Sequence, residues 1–230
     1  MDILYSDKDL VILNKPPGIA VHGGNKVAGE TAVDFLIERF PELRGVGEDP
    51  ARPGIVHRLD KDTSGVMVVA RNQKSFAALK ELFGKRLVEK SYVAIVCGEP
   101  REKRGVITLP IGRVLKNPTK RGVAGGRRTI RGAREARTAY RVLKSGLGYS
   151  LLELKPETGR MHQLRVHLKA IGHPVACDKK YGGRNVCCPE GIRRQLLHAK
   201  SLSFSFPEGR GLHFEADPPA DFTLAEKSLF

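Results

Sequence analysis

The sequence predicts an α+β fold with a mixed or mostly antiparallel central sheet. Predicted strands outnumber predicted helices, and many neighbouring segments are joined by short turns. The chain has 230 residues, of which 40% are hydrophobic, and this is enough to build a substantial core. This length suits one large domain or two small ones.

The predicted elements follow from apolar spacing and from the residues that interrupt it. Strands are predicted where short apolar or alternating runs end at Gly, Pro or Asn, at residues 10–13, 65–70, 90–96, 105–109, 136–143, 149–154 and 201–206. Helices are predicted where capping residues precede apolar positions three and four apart, at residues 31–40, 72–86 and 160–171.

The chain is strongly basic, with 40 Lys and Arg against 25 Asp and Glu and a formal charge of +15. Such a surplus favours a polyanionic partner, because each phosphate that Lys or Arg neutralises releases a counterion. Charge alone does not distinguish RNA from DNA or from an anionic membrane. A solvated basic surface, such as the lysine-rich exterior of a thermophile protein, is the alternative explanation.

Residues 113–137 concentrate this charge, with nine basic side chains and a single acid, Glu135. Four glycines lie in the same segment, and we expect a flexible basic loop that orders on a phosphate backbone. An exposed disordered insertion is the alternative. The basic residues are Arg113, Lys116, Lys120, Arg121, Arg127, Arg128, Arg131, Arg134 and Arg137.

No apolar run approaches the ~20 residues that span a bilayer, and the acidic N-terminus lacks a signal-peptide pattern. We therefore expect a cytoplasmic protein with no membrane partner. Cys97, Cys177, Cys187 and Cys188 show no C-x-x-C spacing, so we expect neither a disulfide framework nor a metal site.

Residues 57–65, with the sequence HRLDKDTSG, are the densest polar segment and lead directly into the apolar strand at 66–70. Loops held against a core strand are common positions for reactive groups, so Asp60 and His57 are candidates for chemistry. Asp62 and Thr63 can equally bond backbone N–H groups and form an ordinary turn. The residues alone leave both interpretations open.

The second polar segment is residues 154–167, where His162, Arg165 and Lys169 lie on one face of the predicted helix. Arg165 falls at the edge of the apolar stripe, and a partly buried guanidinium needs a carboxylate partner. Asp60 is a candidate for that partner. The alternative is an exposed helix whose Arg165 pairs locally or contacts only water. Tyr92, on a predicted strand, is compatible with simple packing.

Several common chemistries are not indicated. The chain has no G-x-S-x-G nucleophile elbow, Walker A loop or dinucleotide fingerprint, and its Cys and His spacing suits zinc poorly. We therefore expect no cofactor and no metal.

Taken in order, these segments resemble the RluA-type family of pseudouridine synthases. The resemblance is carried by LNKPPG at 13–18, HRLD with DTSG at 57–65, KSYVA at 90–94, PIGR at 110–113, ARTAY at 136–140, the 155–168 stretch and LHA at 197–199. It implies a large curved sheet flanked by helices, with an active-site cleft across its middle. The chain resembles the shorter members, which have no S4 domain, and the resemblance implies a single catalytic domain over residues 1–230.

The resemblance also implies roles. Asp60 would be the catalytic aspartate, Tyr92 would stack on the flipped base and assist proton removal, and Arg165 would pair with Asp60. Arg58 would enter the RNA and help turn the uridine out. The residues expected to contact RNA are His57, Arg58, Arg113, Arg127, Arg128, Arg131, Arg160 and His162.

The implied reaction breaks the N1–C1′ bond of uridine, turns the ring and joins C5 to C1′, which requires no cofactor. Asp60 could attack C1′, add to C6 or promote a glycal, and the sequence does not choose between these routes. The expected partner is ribosomal or transfer RNA, bound by a monomer. The alternatives are a non-catalytic RNA-binding or ribosome-assembly protein on the same fold, and a hydrolase that uses Asp60 and His57.

Overall fold

The computed structural model of the chain describes residues 1–23, 29–126, 129–184, 186–206 and 209–230. The strands in this part are β1 (Asp2–Ser6), β2 (Leu10–Lys15), β3 (Ser64–Ala70), β4 (Glu89–Cys97), β5 (Arg104–Ile107), β6 (Ile111–Val114), β7 (Asn117–Val123), β8 (Ile130–Arg134), β9 (Thr138–Gly146), β10 (Tyr149–Pro156), β11 (Leu197–Ser205) and β12 (Gly211–Glu215). The helices are α1 (Ala32–Arg39), α2 (Gln73–Gly84), α3 (Gln163–Ala170) and α4 (Ala220–Leu229).

The chain forms two compact units, one from residues 1–90 and 198–218, the other from residues 91–197 and 219–230. In the first unit the strands lie in the order β1-β2-β3-β11-β12. The pairing of β3 with β11 is parallel, whereas β1–β2, β2–β3 and β11–β12 are antiparallel.

Strand β3 is buried along its whole length, and Gly65 allows its close approach to β11. Gly65 has φ +116°, and a Cβ at this position would lie 2.1 Å from the carbonyl oxygen of Ala199. Only a residue without a side chain fits there, because both the backbone angle and the space exclude a Cβ. This close approach anchors the start of β3, at the end of the polar 57–65 segment.

Helices α1 and α2 both begin with capping boxes. Thr31 caps α1 with Asp34 as its reciprocal partner, and Asn72 caps α2 with Ser75. Each box satisfies two otherwise unpaired backbone N–H groups at the helix start. The apolar face of α2 packs through Leu79 into the core of the first unit.

In the second unit, β4, β10, β9 and β5 form an antiparallel array in that order. Strands β7, β6 and β8 form a separate three-stranded antiparallel sheet. Phe222 of α4 is fully buried against Ile95 and Leu151, while Leu164 and Leu168 of α3 pack with Leu152 and Leu154.

The predicted α+β class with mostly antiparallel strands is confirmed. The expected loop at 113–137 is wrong for most of its length, because it folds into β6, β7 and β8. These strands form because Ile111 and Val123 pack with Val166 of α3 and with Tyr181, burying apolar side chains that the Arg- and Gly-rich sequence obscures. Within the described residues, no helix is long and apolar enough to span a membrane.

Helix α3 begins at Gln163, three residues later than predicted, since His162 has a left-handed backbone with φ 57°. His162 therefore precedes the helix, and the expected shared face consists of Arg165 and Lys169 without it.

Candidate active site and nucleic-acid interface

His57 fixes the start of the polar 57–65 segment against β3. Its Nε2 lies 3.0 Å from the backbone nitrogen of Val68 and accepts that N–H, and its ring stacks on Phe83 with centroids 4.7 Å apart. Burial, reinforced by the charge of Lys90, lowers the pKa of His57 to about 3. The neutral imidazole thus has a structural role, and its expected contact with RNA stays a prediction.

Asp60 lies half-buried in the turn that follows. The turn is closed by the backbone, since the N–H of Thr63 donates to the carbonyl oxygen of Asp60 at 3.0 Å. The Thr63 hydroxyl is buried and has no hydrogen-bond partner among the residues described, so it is not the cap that a simple turn would use.

Lys15, at the end of β2, donates a hydrogen bond to the same turn. The sequence motifs did not predict this role. Its side chain is fully buried, and its Nζ donates to the carbonyl oxygens of Pro16 at 2.7 Å, Ile19 at 2.9 Å and Lys61 at 3.0 Å. A buried ammonium with three backbone acceptors ties two loops together. One of those acceptors belongs to the residue directly after Asp60.

Arg58, in contrast, points to the surface. It is exposed, and its Nη1 lies 3.2 Å from Nε2 of His22. An exposed guanidinium beside the turn that carries Asp60 can reach a phosphate or a base edge, as its expected role requires.

Arg165 lies on α3 and is buried, so the alternative of an exposed helix is wrong at this position. Its guanidinium forms a two-pronged ion pair with Asp178, with Nε to Oδ2 at 2.7 Å and Nη2 to Oδ1 at 2.9 Å. Burial raises the pKa of Asp178, but the hydrogen bonds and charge of Arg165, together with the backbone N–H groups of Tyr181 and Lys180, outweigh burial and hold this pKa below its usual value. Asp178 was not predicted, although an acid after the apolar run Val175–Cys177 is a signal for a buried cationic partner.

Tyr92 lies on β4 opposite Leu154 of β10 and is half-buried. Its ring packs against the buried cluster that contains Leu164 and Leu168. This packing fixes the ring, and the expected contact with a flipped base stays a prediction.

Three arginines stand side by side across the sheet β7-β6-β8. Arg113 pairs in register with Arg121 on one side and with Arg131 on the other. Like charges directly opposite one another on adjacent strands are destabilising, and an anionic ligand would offset this repulsion. The binding of RNA by Arg113 and Arg131 stays a prediction. Arg127 and Arg128, also expected to bind RNA, lie outside the described residues.

Arg160 and His162 both bond to groups next to this sheet. Arg160 Nε donates to the carbonyl oxygen of Glu135 at 2.9 Å. His162 Nδ1 lies 2.6 Å from the hydroxyl of Tyr181, which also accepts the backbone N–H of Arg121 at 3.0 Å. Both residues therefore border the sheet β7-β6-β8, and their binding to RNA stays a prediction.

The cysteines are paired, which corrects the expectation that no disulfide framework would form. Cys97 is bonded to Cys187, and Cys177 is bonded to Cys188. The folded backbone brings the two adjacent cysteines against two separate partners, a relationship that sequence spacing does not reveal. Among the described residues, no three His, Cys, Asp or Glu side chains are grouped to hold a metal ion.

Comparison with known proteins shows which proteins this chain resembles. The family model described as RNA pseudouridylate synthase matches residues 9–170. An uncharacterized RNA pseudouridine synthase of Synechocystis sp. is 42% identical over 96% of this chain and 67% of its own length. A protein of Nitrosomonas europaea named ribosomal large subunit pseudouridine synthase D is 40% identical over 100% of this chain and 65% of its own. The chain thus spans about two thirds of the length of these two relatives.

Among solved structures, human RNA pseudouridylate synthase domain containing 4 superposes with a TM-score of 0.75 and 34% identity, covering 96% of this chain and 90% of that one. Human RNA pseudouridylate synthase domain containing 1 gives a TM-score of 0.77 and 30% identity, covering 94% and 83%. The resemblance found in the sequence motifs is therefore matched by whole-chain similarity.

Proposed function

The chain belongs to the RNA pseudouridine synthase family, whose enzymes isomerise uridine in RNA, and we propose that it acts on ribosomal RNA with Asp60 as its catalytic carboxylate. The turn geometry around Asp60 is the observation that carries this proposal. His57, Lys15 and the backbone of Thr63 hold the turn in place, so a rigid scaffold presents the carboxylate.

The reaction needs a carboxylate near C1′ or C6, because the N1–C1′ bond must break and a C5–C1′ bond must form. The base leaves with the electron pair of the N1–C1′ bond, C5 then bonds to C1′, C5 loses its proton, and N1 gains one, so the product is an isomer of the substrate. Tyr92 suits the removal of that proton if its hydroxyl comes within hydrogen-bond distance of C5. We assign Arg165 the role of keeping Asp60 ionised, since a nearby guanidinium favours the charged form of a carboxylate.

The RNA surface in this proposal is the arginine row of Arg113, Arg121 and Arg131. Its partner supplies regularly spaced negative charge, as a phosphate backbone does. Arg58, Arg160 and His162 add contacts near the base, and the target uridine must leave its stack at a cost of a few kcal/mol. Large-subunit ribosomal RNA is favoured because a relative of this chain bears that name.

We further propose that the two compact units act together as one catalytic domain, and that the protein works as a monomer in the cytoplasm, where ribosomal RNA is available. The paired cysteines agree with a cytoplasmic location if the source is a hyperthermophile, because disulfides are common in intracellular proteins of such organisms. In the cytosol of mesophiles, disulfides are rare.

The deciding experiment maps pseudouridine in ribosomal and transfer RNA from cells with and without the gene. One or more sites in large-subunit ribosomal RNA should lose the modification in the deletion strain. Restoring the wild-type gene should return it, whereas the gene encoding Asp60→Asn should not. Loss of a transfer RNA site alone would replace the proposed substrate, and an unchanged map would remove the proposed activity on both RNAs.

A further inference from the structure

The guanidinium of Arg165 is bound by a short segment of chain that contains none of the residues assigned to the proposed reaction. Asp178 Oδ2 accepts from Nε, and Asp178 Oδ1 accepts from Nη2. The same Oδ1 also accepts the backbone N–H groups of Lys180 and Tyr181, each at 3.0 Å. The Asp178 carboxylate is thus fixed by the backbone of the turn that follows it, independently of its ion pair with Arg165.

The ring of Tyr181 covers one face of the Arg165 guanidinium. The guanidinium carbon of Arg165 lies 5.1 Å from the centre of the Tyr181 ring, a cation–π geometry. The ring is itself located by its hydroxyl, which contacts His162 and accepts the backbone N–H of Arg121 in β7. The guanidinium therefore has a planar salt bridge at its edge and an aromatic ring over its face.

The segment that carries both residues is tied down at its ends. The bonds Cys177–Cys188 and Cys97–Cys187 attach it to itself and to β4. Gly182 closes it tightly, since a Cβ there would lie 2.2 Å from the Val186 side chain. We call residues 177–184 and 186–188 the clasp.

We infer that Asp178, assisted by the Tyr181 ring, is a positioning residue that sets the orientation of Arg165 for catalysis. This inference rests on the proposed function, in which Arg165 keeps Asp60 ionised. A guanidinium has many rotamers on a long side chain, and catalytic geometry tolerates little displacement, so a misplacement of about 1 Å can reduce the rate by about a hundredfold. The clasp removes that freedom before substrate binds.

The variant Asp178→Asn tests the inference with little change of shape. The amide oxygen can keep the bonds to Lys180, Tyr181 and Arg165 Nη2, but the amide nitrogen then faces the Nε–H of Arg165, and two donors oppose each other. We expect kcat to fall about tenfold or more while KM for the RNA stays near the wild-type value. The assay is release of tritium from uridine C5 in unmodified large-subunit ribosomal RNA.

A double-mutant cycle separates positioning from a general structural role. Asp178→Asn should lower kcat in the wild-type background but have little further effect in Arg165→Met. Arg165→Lys serves as a second background, because it retains a charge beside Asp178 if Arg165→Met does not fold. The matched control is Asp221→Asn, which disrupts the bidentate pair of Asp221 with Arg194 in the same unit and should leave kcat unchanged.

An equal loss of kcat from Asp178→Asn in both backgrounds overturns the inference, as does full activity of Asp178→Asn where Arg165→Met is impaired. Full activity of Arg165→Met would instead remove Arg165 from the proposed function, and the role of Asp178 with it. The two failures are therefore distinguishable.

Discussion

Arg165 and Asp178 form a buried, two-pronged ion pair, with the arginine side chain 7% exposed and the aspartate 0%. Such pairs contribute little net stability compared with apolar residues of the same volume, because both charges lose their hydration. Breaking one side is costly, because the other charge is then buried alone. The pair is therefore better understood as a device that fixes geometry than as a source of stability.

The first prediction concerns the Asp60 carboxylate. Asp60→Asn should reduce isomerisation by about a thousandfold or more, because the amide is neither nucleophile nor counter-charge. RNA affinity, measured by filter binding at fixed salt, should remain close to wild type. Asp217→Asn changes an exposed acid of the same unit and should remain active. Near-normal turnover by purified Asp60→Asn would exclude Asp60 from its proposed role.

The second prediction concerns the arginine row. Replacing Arg113 and Arg131 with glutamine should weaken RNA binding. It should also reduce the slope of log affinity against log salt by about 0.7 for each single-strand phosphate that is no longer neutralised. The free protein should become slightly more stable at low salt, by about a few tenths of a kcal/mol, because opposed like charges are removed.

Salt titrations and urea unfolding measure these two effects, which have opposite signs. Arg101→Gln provides the control, since this exposed arginine lies in the same unit but outside the row. If the salt slope of the double variant equals that of wild type, the row is a solvated surface and not the RNA interface.

The third prediction concerns pH. His57 has a folded pKa of about 3 against an ordinary value of 6.5, so the unfolded chain binds its proton more readily. The neutral His57 imidazole therefore makes its full contribution to the free energy of unfolding above about pH 6.5, and this contribution is lost progressively as pH falls towards 3. His57→Gln should therefore show a flatter dependence of unfolding free energy on pH across that range. Parallel curves for the two proteins would show that His57 titrates normally in the fold.

The fourth prediction concerns the disulfides. Cys97–Cys187 spans 90 residues and Cys177–Cys188 spans 11. By the chain-entropy relation, loss of the longer link should cost about 4–5 kcal/mol and loss of the shorter about 3 kcal/mol. Urea unfolding of Cys97→Ser with Cys187→Ser, compared with Cys177→Ser with Cys188→Ser, measures the order. Four titratable thiols in denatured, unreduced protein would show that the bonds do not form.

Local signals explain which elements could be predicted from the sequence. Thr31 and Asn72 begin their helices through hydrogen bonds to residues three positions away, so the information lies within one turn. The burial of β3 is likewise visible as a continuous apolar run. The polar 57–65 segment stands out for the same reason, because its residues are contiguous in the chain.

Long-range packing explains what the sequence did not predict. The start of α3 depends on His162, whose left-handed backbone accompanies its contact with Tyr181, 19 residues away. The strands at 111–134 depend on packing against Val166, which local Arg and Gly content hides. Asp178 pairs with Arg165, which is 13 residues away, and Lys15 bonds to backbone carbonyl oxygens. Residue spacing reveals neither kind of partner.

The clasp has a consequence for the integrity of the chain. Because Cys177 is joined to Cys188, the backbone between them is a closed covalent ring, and Cys187 anchors that ring to β4. A protease that nicks the exposed link at Lys179 or Arg184 opens the ring without releasing either fragment. After a nick at Arg184, the turn from Asp178 to Tyr181 remains unbroken on the N-terminal side, so its backbone N–H groups still hold the Asp178 carboxylate.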